Sequence, residues 1–208
     1  MIPVQFITHC SETLSYEASA LRALEGGCKW IQLRMKGASD EEVEPIARRL
    51  LEACRQAGAT FVIDDRVELC RKIEADGVHL GKNDMPVDEA RGLLGEGFLI
   101  GGTANTLDDI RRLRRQGADY VGLGPFRFTT TKERLAPVLG LEGYAEIMRG
   151  WREENLRIPV CAIGGIGPED VMPLIEAGVQ GVAVSGAVVR AADPAAMMQR
   201  FLCADDEA

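Results

Sequence analysis

Short apolar runs alternate with longer amphipathic stretches along the whole chain. The apolar runs are bounded by glycine, proline or aspartate, a pattern that is typical of strands buried in a parallel sheet. The predicted strands are 4–8, 30–35, 60–64, 77–81, 98–103, 120–124, 159–163 and 181–185. The predicted helices are 16–25, 40–57, 67–73, 87–94, 107–116, 141–153, 168–177, 187–191 and 194–202. The pattern therefore predicts eight strand–helix units.

The length of the units indicates how they are arranged. Eight units in 208 residues leave about 26 residues for each unit, which suits a compact (β/α)8 barrel and would be unusual for an open doubly wound sheet. The predicted fold class is therefore α/β, with one domain, a (β/α)8 barrel of the TIM type, over 1–208. The acidic end, 204–208, is predicted to be a frayed tail.

Composition limits the classes of partner. Hydrophobic residues make up 46% and charged residues 27% of the chain, and its net charge of -8 argues against a general nucleic-acid surface. Its six cysteines show no CxxC pair or zinc-like spacing, which favours reduced thiols in a cytosol. Neither a signal-peptide pattern nor an apolar run of about 18 residues is present. We expect a cytoplasmic protein without a membrane or nucleic-acid partner, and a homo-oligomer remains open.

The stretch 122–132, GLGPFRFTTTK, follows the sixth predicted strand. Its consecutive β-branched threonines disfavour a helix and favour an ordered loop. The hydroxyls of Thr129, Thr130 and Thr131, together with the charge of Lys132, suit a ligand rich in phosphate oxygens. A solvated surface loop is the alternative interpretation.

The second predicted strand carries polar side chains on one face. Gln32, Arg34 and Lys36 alternate with the apolar residues at 31, 33 and 35. If the apolar face meets the helices, the polar face points into the barrel. Burying charges without partners costs several kcal/mol each, so this face predicts an anionic ligand. The alternative is an edge strand with a solvated face, which a closed barrel lacks.

Carboxylates follow the third and fourth predicted strands. Asp64 and Asp65 end one strand, and Asp84 comes shortly after the other. Both positions fall on the catalytic face of a barrel, where neighbouring strands end close together. The residues predict either a salt-bridge network with nearby cations or a Mg²⁺ held by one or two carboxylates, water and substrate phosphate oxygens.

Glycine-rich turns follow the last two strands, where barrels often bind phosphate. Strand seven leads into GGIG at 164–167, and strand eight ends at Val184, Ser185 and Gly186. They predict a second, separate phosphate site, and simple turn formation is the alternative.

The two histidines do not complete a catalytic constellation. His79 lies in a strand of alternating character and is interpreted as a satisfied interior residue. The role of His9, at the end of strand one, stays open. Neither a Ser-His-Asp nor a Cys-His arrangement can be proposed.

Several motifs in a fixed order carry a family resemblance. They are QLRMK at 32–36, DGVHLGKND at 76–84, IGGT at 100–103, GPFRFTTTK at 124–132, AIGGI at 162–166 and GVAVSGA at 181–187. With the region around Asp65, they make the chain similar to the thiamine-phosphate synthase family over nearly its whole length. The resemblance implies a Mg²⁺-dependent transferase that joins hydroxymethylpyrimidine diphosphate to a thiazole phosphate, giving thiamine phosphate and pyrophosphate.

The resemblance also implies roles for individual residues. Arg34, Lys36 and Lys132 would be the catalytic cations. The substrate-binding residues would be Gln32, Arg34, Lys36, Asp64, Thr103, Thr129, Thr131, Lys132, Gly165, Val184 and Ser185. Of these, Gln32, Arg34, Lys36 and Lys132 would hold the diphosphate, and the threonines at 129 and 131 with Gly165, Val184 and Ser185 would hold the thiazole phosphate. Asp65 and Asp84 would hold the metal.

Two departures from the family pattern stand beside these matches. Asp64 replaces the usual asparagine, and Thr103-Ala104-Asn105 replaces a Ser-x-His pattern. Two rival functions are a thiazole tautomerase-like relative and a non-catalytic protein that binds a thiamine precursor. The complete QLRMK and TTTK motifs and the pair Asp65 and Asp84 favour the synthase over both.

Overall fold

The computed structural model describes residues 3–128 and 137–204. Eight parallel strands close into a barrel in chain order. The strands are β1 (Val4–Ile7), β2 (Trp30–Leu33), β3 (Thr60–Asp64), β4 (Gly77–Leu80), β5 (Leu99–Ala104), β6 (Tyr120–Leu123), β7 (Val160–Ile163) and β8 (Gly181–Val184). The helices are α1 (Tyr16–Glu25), α2 (Asp40–Ala57), α3 (Val67–Ile73), α4 (Val87–Leu94), α5 (Leu107–Arg115), α6 (Gly140–Glu153), α7 (Val171–Ala177), α8 (Gly186–Val189) and α9 (Pro194–Leu202). The predicted single-domain (β/α)8 barrel is confirmed.

Local sequence signals account for where helices begin and end. Ser39 accepts a hydrogen bond from the Glu42 amide, and Glu42 accepts one from the Ser39 amide, so the capping box at the start of α2 is present. These two bonds satisfy backbone donors that a helix start leaves unpaired. Gly58 ends the same helix with a φ of 60°, a left-handed conformation that glycine adopts at little cost.

Strand alternation separates an apolar layer from a polar barrel interior. Ile31 and Leu33, 0% and 1% exposed, belong to the hydrophobic core that the helices cover. Between them, Gln32 is 2% exposed and donates a hydrogen bond to the Asp64 carboxylate on β3. This is the orientation that alternation in β2 predicted. A buried amide is stable here because it has a hydrogen-bond partner.

The observed element boundaries differ from the predicted ones mostly at the catalytic rim, which is the end of the barrel where the carboxyl ends of the strands lie. β1, β2, β4, β6 and β8 end one or two residues earlier than predicted, because the backbone leaves the ladder to form the rim loops. The predicted helix over 168–177 begins as a separate 3₁₀ turn, Pro168–Asp170, before α7. The proline cannot donate a backbone hydrogen bond and is accommodated in this first turn.

Two further findings concern predictions from composition. All six cysteines are free thiols. Among the described residues, the structure contains no helix that is long and apolar enough to cross a membrane. Thr129, Thr131 and Lys132, and the tail residues 205–208, lie outside the described residues.

Candidate active site

The carboxyl ends of β2 and β3 bring two cations onto one buried carboxylate. Arg34 Nε lies 3.5 Å and Lys36 Nζ 3.4 Å from Asp64 Oδ2. The other carboxylate oxygen, Asp64 Oδ1, accepts a hydrogen bond from Gln32 Nε2 at 2.9 Å. These residues come from β2, the loop after it and β3, so the pairing of two neighbouring strands assembles the cluster. It concentrates positive charge beside a buried negative group.

Burial and neighbouring charges shift the pKa values of Asp64 and Lys36. Burial raises the pKa of its carboxyl, and this effect exceeds the opposing influence of Lys36 and Arg34. For Lys36, burial acts to lower the pKa, but Asp64 and Asp65 hold it above its usual value. Asp64 Oδ2 and Gln32 Oε1 are buried and have no hydrogen-bond partner among the described residues, although Arg34 and Lys36 lie at ion-pair distance from Asp64 Oδ2. Such orphaned acceptors are costly unless a ligand or water approaches them.

Asp65 is held from both sides of its carboxylate. Lys36 Nζ lies 2.5 Å from one oxygen, and Arg66 Nη1 donates to the other at 2.7 Å. The Asp65 backbone has a φ of 60°, a conformation that costs energy for a residue with a side chain. Its amide nevertheless bonds to His79 O on β4. The aspartate is thus fixed in a defined orientation at the rim.

Arg66 is a residue that the sequence interpretation missed. Its guanidinium joins Asp65 to the loop after β2, donating to Ala38 O at 2.5 Å and to Met35 O at 3.4 Å. Its Nε also lies 2.9 Å from the Asp40 carboxylate. With only 13% of the side chain exposed, Arg66 connects the loops that carry Lys36 and Asp65. Its position next to two aspartates was the available signal.

Asp84 lies in a tight turn after β4. Its Oδ2 accepts a hydrogen bond from the Gly81 amide at 2.7 Å. The charge of Asp84 also influences the pKa values of Lys36 and Asp64, and its turn follows β4, the strand that pairs with β3. The structure therefore brings Asp65 and Asp84 to neighbouring parts of one rim.

The donor set at this rim suits a hard divalent cation. Within the described ranges 3–128 and 137–204, no group of three or more His, Cys, Asp or Glu side chains is arranged to hold a metal. Magnesium does not need such a cage, since it takes one or two carboxylates and completes its octahedron with water and phosphate oxygens. Asp65 and Asp84 offer carboxylate oxygens, and no residue in the described part of the chain donates a hydrogen bond to the buried Asp64 Oδ2. The residues fit Mg²⁺ with a phosphate-bearing substrate.

Thr103 stands at the end of β5, close to the barrel interior. Its Oγ1 lies 3.0 Å from His79 Nε2. His79 is 6% exposed, in agreement with its interpretation as a satisfied interior residue. The side chain of the nearby Asn105 donates to Gly124 O, so this departure from the family pattern ties the end of β5 to the loop after β6.

The loop after β6 rests on the glycine turn after β7. The Phe126 and Arg127 amides bond to Ile163 O and Gly164 O, each at 2.9 Å. A Cβ atom added to Gly165, where φ is 71°, would lie 2.9 Å from Arg127 Cβ. Only glycine allows this close approach without displacing the neighbouring loop.

The charge of Arg127 is engaged within this loop pair. Its guanidinium forms a fork with both carboxylate oxygens of Asp170, and Asp170 also accepts from the Gly167 amide at 2.8 Å. Val184 ends β8, and Ser185 leads into α8. The described part of this loop stops at Phe128, whose carbonyl oxygen would lie 3.2 Å from a Cβ atom added to Gly165.

A comparison with protein families matches residues 4–188 to the model described as thiamine monophosphate synthase. The chain belongs to the thiamine monophosphate synthase family. A thiamine-phosphate synthase of Bacteroides thetaiotaomicron is 57% identical over 202 residues, covering 97% of each chain. One of Phocaeicola vulgatus is 58% identical over 201 residues, again covering 97% of each chain. Family membership confirms the predicted resemblance and the transferase function in thiamine phosphate synthesis.

The barrel of this chain is also similar to a solved structure from the same family. The thiamine phosphate pyrophosphorylase of Pyrococcus furiosus superposes with a TM-score of 0.86 at 34% identity, covering 99% of this chain and 96% of that one. Relatives named as synthases cover nearly the whole chain, which favours the synthase over the two rival functions.

Proposed function

We propose that this chain condenses hydroxymethylpyrimidine diphosphate with 4-methyl-5-(2-phosphoethyl)thiazole and releases pyrophosphate, or uses the carboxylated thiazole and releases both pyrophosphate and CO2. The observation that carries the proposal is the convergence of Arg34 and Lys36 on the Asp64 and Asp65 carboxylates at the catalytic rim. Two cations beside acidic groups form a site for a polyanion that arrives with a divalent cation. The family's transferase function requires such a site.

The cations would act on the leaving group. Arg34, Lys36 and Lys132 would neutralise charge as the carbon–oxygen bond to the diphosphate breaks and its electron pair stays on pyrophosphate. Gln32 and Thr103 would bind the same group. Mg²⁺ on Asp65 and Asp84 would supply further charge stabilisation when bound. In this arrangement Arg66 would keep Asp65 in place.

The remaining step needs positioning and no protein nucleophile. Bond cleavage leaves a pyrimidine methylene cation that the amino-substituted ring can stabilise, and the thiazole nitrogen forms the new carbon–nitrogen bond. Thr129, Thr131, Gly165, Val184 and Ser185 would hold the thiazole phosphate. Anchoring both substrates makes their encounter effectively intramolecular. A dissociative displacement of pyrophosphate is consistent with this set of residues.

Asp64 would serve the site by its charge. Its Oδ1 is occupied by Gln32, while Oδ2 faces Arg34 and Lys36 at 3.4 to 3.5 Å. We propose that Asp64 engages the Mg²⁺ directly or through a water, so that the cation screens its repulsion of the diphosphate.

The free thiols of the six cysteines support a cytoplasmic location.

The experiment that tests the function is one incubation. Purified protein, both substrates and Mg²⁺ are assayed for thiamine phosphate after oxidation to a fluorescent thiochrome. Product formation is expected with at least one form of the thiazole. No product with either form would favour a non-catalytic thiamine-precursor-binding protein, and turnover of the thiazole phosphate alone would favour the tautomerase-like function.

A further inference from the structure

A row of buried polar side chains crosses the barrel interior and ends at Thr103. Gln5 Nε2 donates to the Tyr120 hydroxyl at 3.3 Å, and that hydroxyl lies 3.1 Å from His79 Nδ1. On the other side of the imidazole, His79 Nε2 lies 3.0 Å from Thr103 Oγ1. Gln5, Tyr120 and His79 are each at most 6% exposed. Four strands therefore contribute to one continuous hydrogen-bonded row, which we call the interior relay.

Two glycines make room for the rings of the interior relay. A Cβ atom on Gly101 would lie 2.1 Å from Tyr120 Cζ, and one on Gly122 would lie 3.2 Å from His79 Cε1. The Tyr120 ring also packs edge-on against Trp30, with 4.7 Å between ring centroids. Close packing fixes side chains in single orientations. The two rings are thus held where their polar atoms can reach one another.

The donor at Gln5 favours one direction for the hydrogen bonds that follow it. Because the Gln5 amide nitrogen only donates, the Tyr120 oxygen accepts there and its own proton is available to His79 Nδ1. Burial keeps the pKa of Tyr120 well above its usual value, so the phenol retains that proton. An imidazole that accepts at Nδ1 carries its proton at Nε2, and Nε2 then donates to Thr103 Oγ1.

This direction determines what Thr103 can offer to a ligand. A hydroxyl has one proton and two lone pairs. If one lone pair accepts from His79, the proton points away from His79. The reverse direction would make Thr103 donate to His79 and leave only lone pairs for a ligand, which an anion would repel.

We propose that Gln5, Tyr120 and His79 of the interior relay are positioning residues that make Thr103 a hydrogen-bond donor toward the diphosphate substrate. The role of Thr103 rests on the proposed function, whereas the direction of the relay is a property of the protein alone. Hydrogen bonds from neutral donors to charged acceptors are stronger than neutral pairs. The relay therefore favours the anionic substrate without placing another charge in the barrel.

Nitrogen-15 NMR of the protein without substrates tests the direction of the relay. The chain contains two histidines, so the imidazole spectrum has two ring systems, and His9→Gln assigns them. At about pH 8, His79 is expected as a neutral ring with the proton on Nε2 and an unprotonated Nδ1. A ring protonated at Nδ1, alone or together with Nε2, overturns the proposal.

Tyr120→Phe tests the consequence for catalysis. Phenylalanine keeps the ring over Gly101 and its packing against Trp30 while removing the hydroxyl. The expected result is a rise of about fivefold to tenfold in the KM for the pyrimidine diphosphate, an unchanged KM for the thiazole phosphate, and a mixed His79 tautomer. A lower melting temperature with an unchanged tautomer and unchanged KM values would make Tyr120 a packing residue only and overturn the relay.

A Thr103 pair separates this proposal from the proposed function. Thr103→Val removes the hydroxyl and Thr103→Ser retains it, so only the former is expected to raise the KM for the diphosphate, by about tenfold or more. If Thr103→Val has normal kinetics, the proposed contact with the diphosphate is wrong and the relay has no catalytic role. If Thr103→Val is impaired while His79 carries its proton on Nδ1, the contact stands and the relay is refuted.

Discussion

Asp64→Asn removes one negative charge from the centre of the cation cluster while preserving its shape. The amide oxygen can still accept from Gln32 Nε2, which lies 2.9 Å from Asp64 Oδ1. The lost contacts involve Arg34 and Lys36, whose side chains are 19% and 46% exposed. Because both cations can reach water, each contact is worth about 1 kcal/mol or less. Removing a buried carboxylate offsets part of that loss, and the melting temperature is expected to change by less than about 4 °C.

The informative measurement is a Mg²⁺ titration of turnover at fixed substrate concentrations. A carboxylate at about 4 Å contributes about 1 kcal/mol even in a water-like environment, so the midpoint for Mg²⁺ is expected to rise at least about fivefold. At saturating Mg²⁺ the variant is expected to remain active, because the family resemblance implies an asparagine at this position.

A control variant separates a local effect from a change in net charge. Asp108 is 84% exposed and pairs with Arg111 on α5, so Asp108→Asn removes a charge outside the cluster and is expected to leave the midpoint unchanged. An unchanged or lower midpoint for Asp64→Asn would refute a role on the metal. A higher KM for the diphosphate with an unchanged midpoint would instead make Asp64 a counter-ion for Arg34 and Lys36.

Three further predictions concern the metal, the lysine and the loop pair. Activity is expected to disappear in EDTA and return with Mg²⁺, because Asp65 and Asp84 would repel an uncompensated diphosphate; full turnover in the chelator would contradict the metal site. Lys132→Ala is expected to lower turnover at least about tenfold with little change in melting temperature, and the opposite combination would make Lys132 structural. Asp170→Asn weakens the fork with Arg127 and is expected to raise the KM for the thiazole phosphate severalfold while leaving that for the diphosphate unchanged, as two-substrate kinetics can measure. Equal changes in both KM values would argue against a local role for the loop pair.

The sequence by itself determined the fold and the location of the cation cluster. Apolar runs separated by amphipathic stretches can bury their surfaces only as strands covered by helices, and eight such units of this length close into a barrel. Alternation in β2 then sends Gln32 inward and Leu33 toward the helices, because successive side chains point to opposite faces. The capping box at Ser39 is equally local, because its two hydrogen bonds join residues that are three positions apart.

Only the tertiary structure decided how distant polar groups pair. Arg127 carries the positive charge expected of an anion-binding residue. Its guanidinium nevertheless lies against Asp170, 43 residues away along the chain. Gln5 and Tyr120 meet across 115 residues, and their contact requires the space above Gly101. Arg66 bonds to backbone carbonyls that have no side-chain signature in a sequence. Periodicity specifies the face of a strand or helix on which a side chain lies. Which distant side chain it contacts depends on barrel closure and on the space left by glycines, and both arise only in the packed tertiary structure.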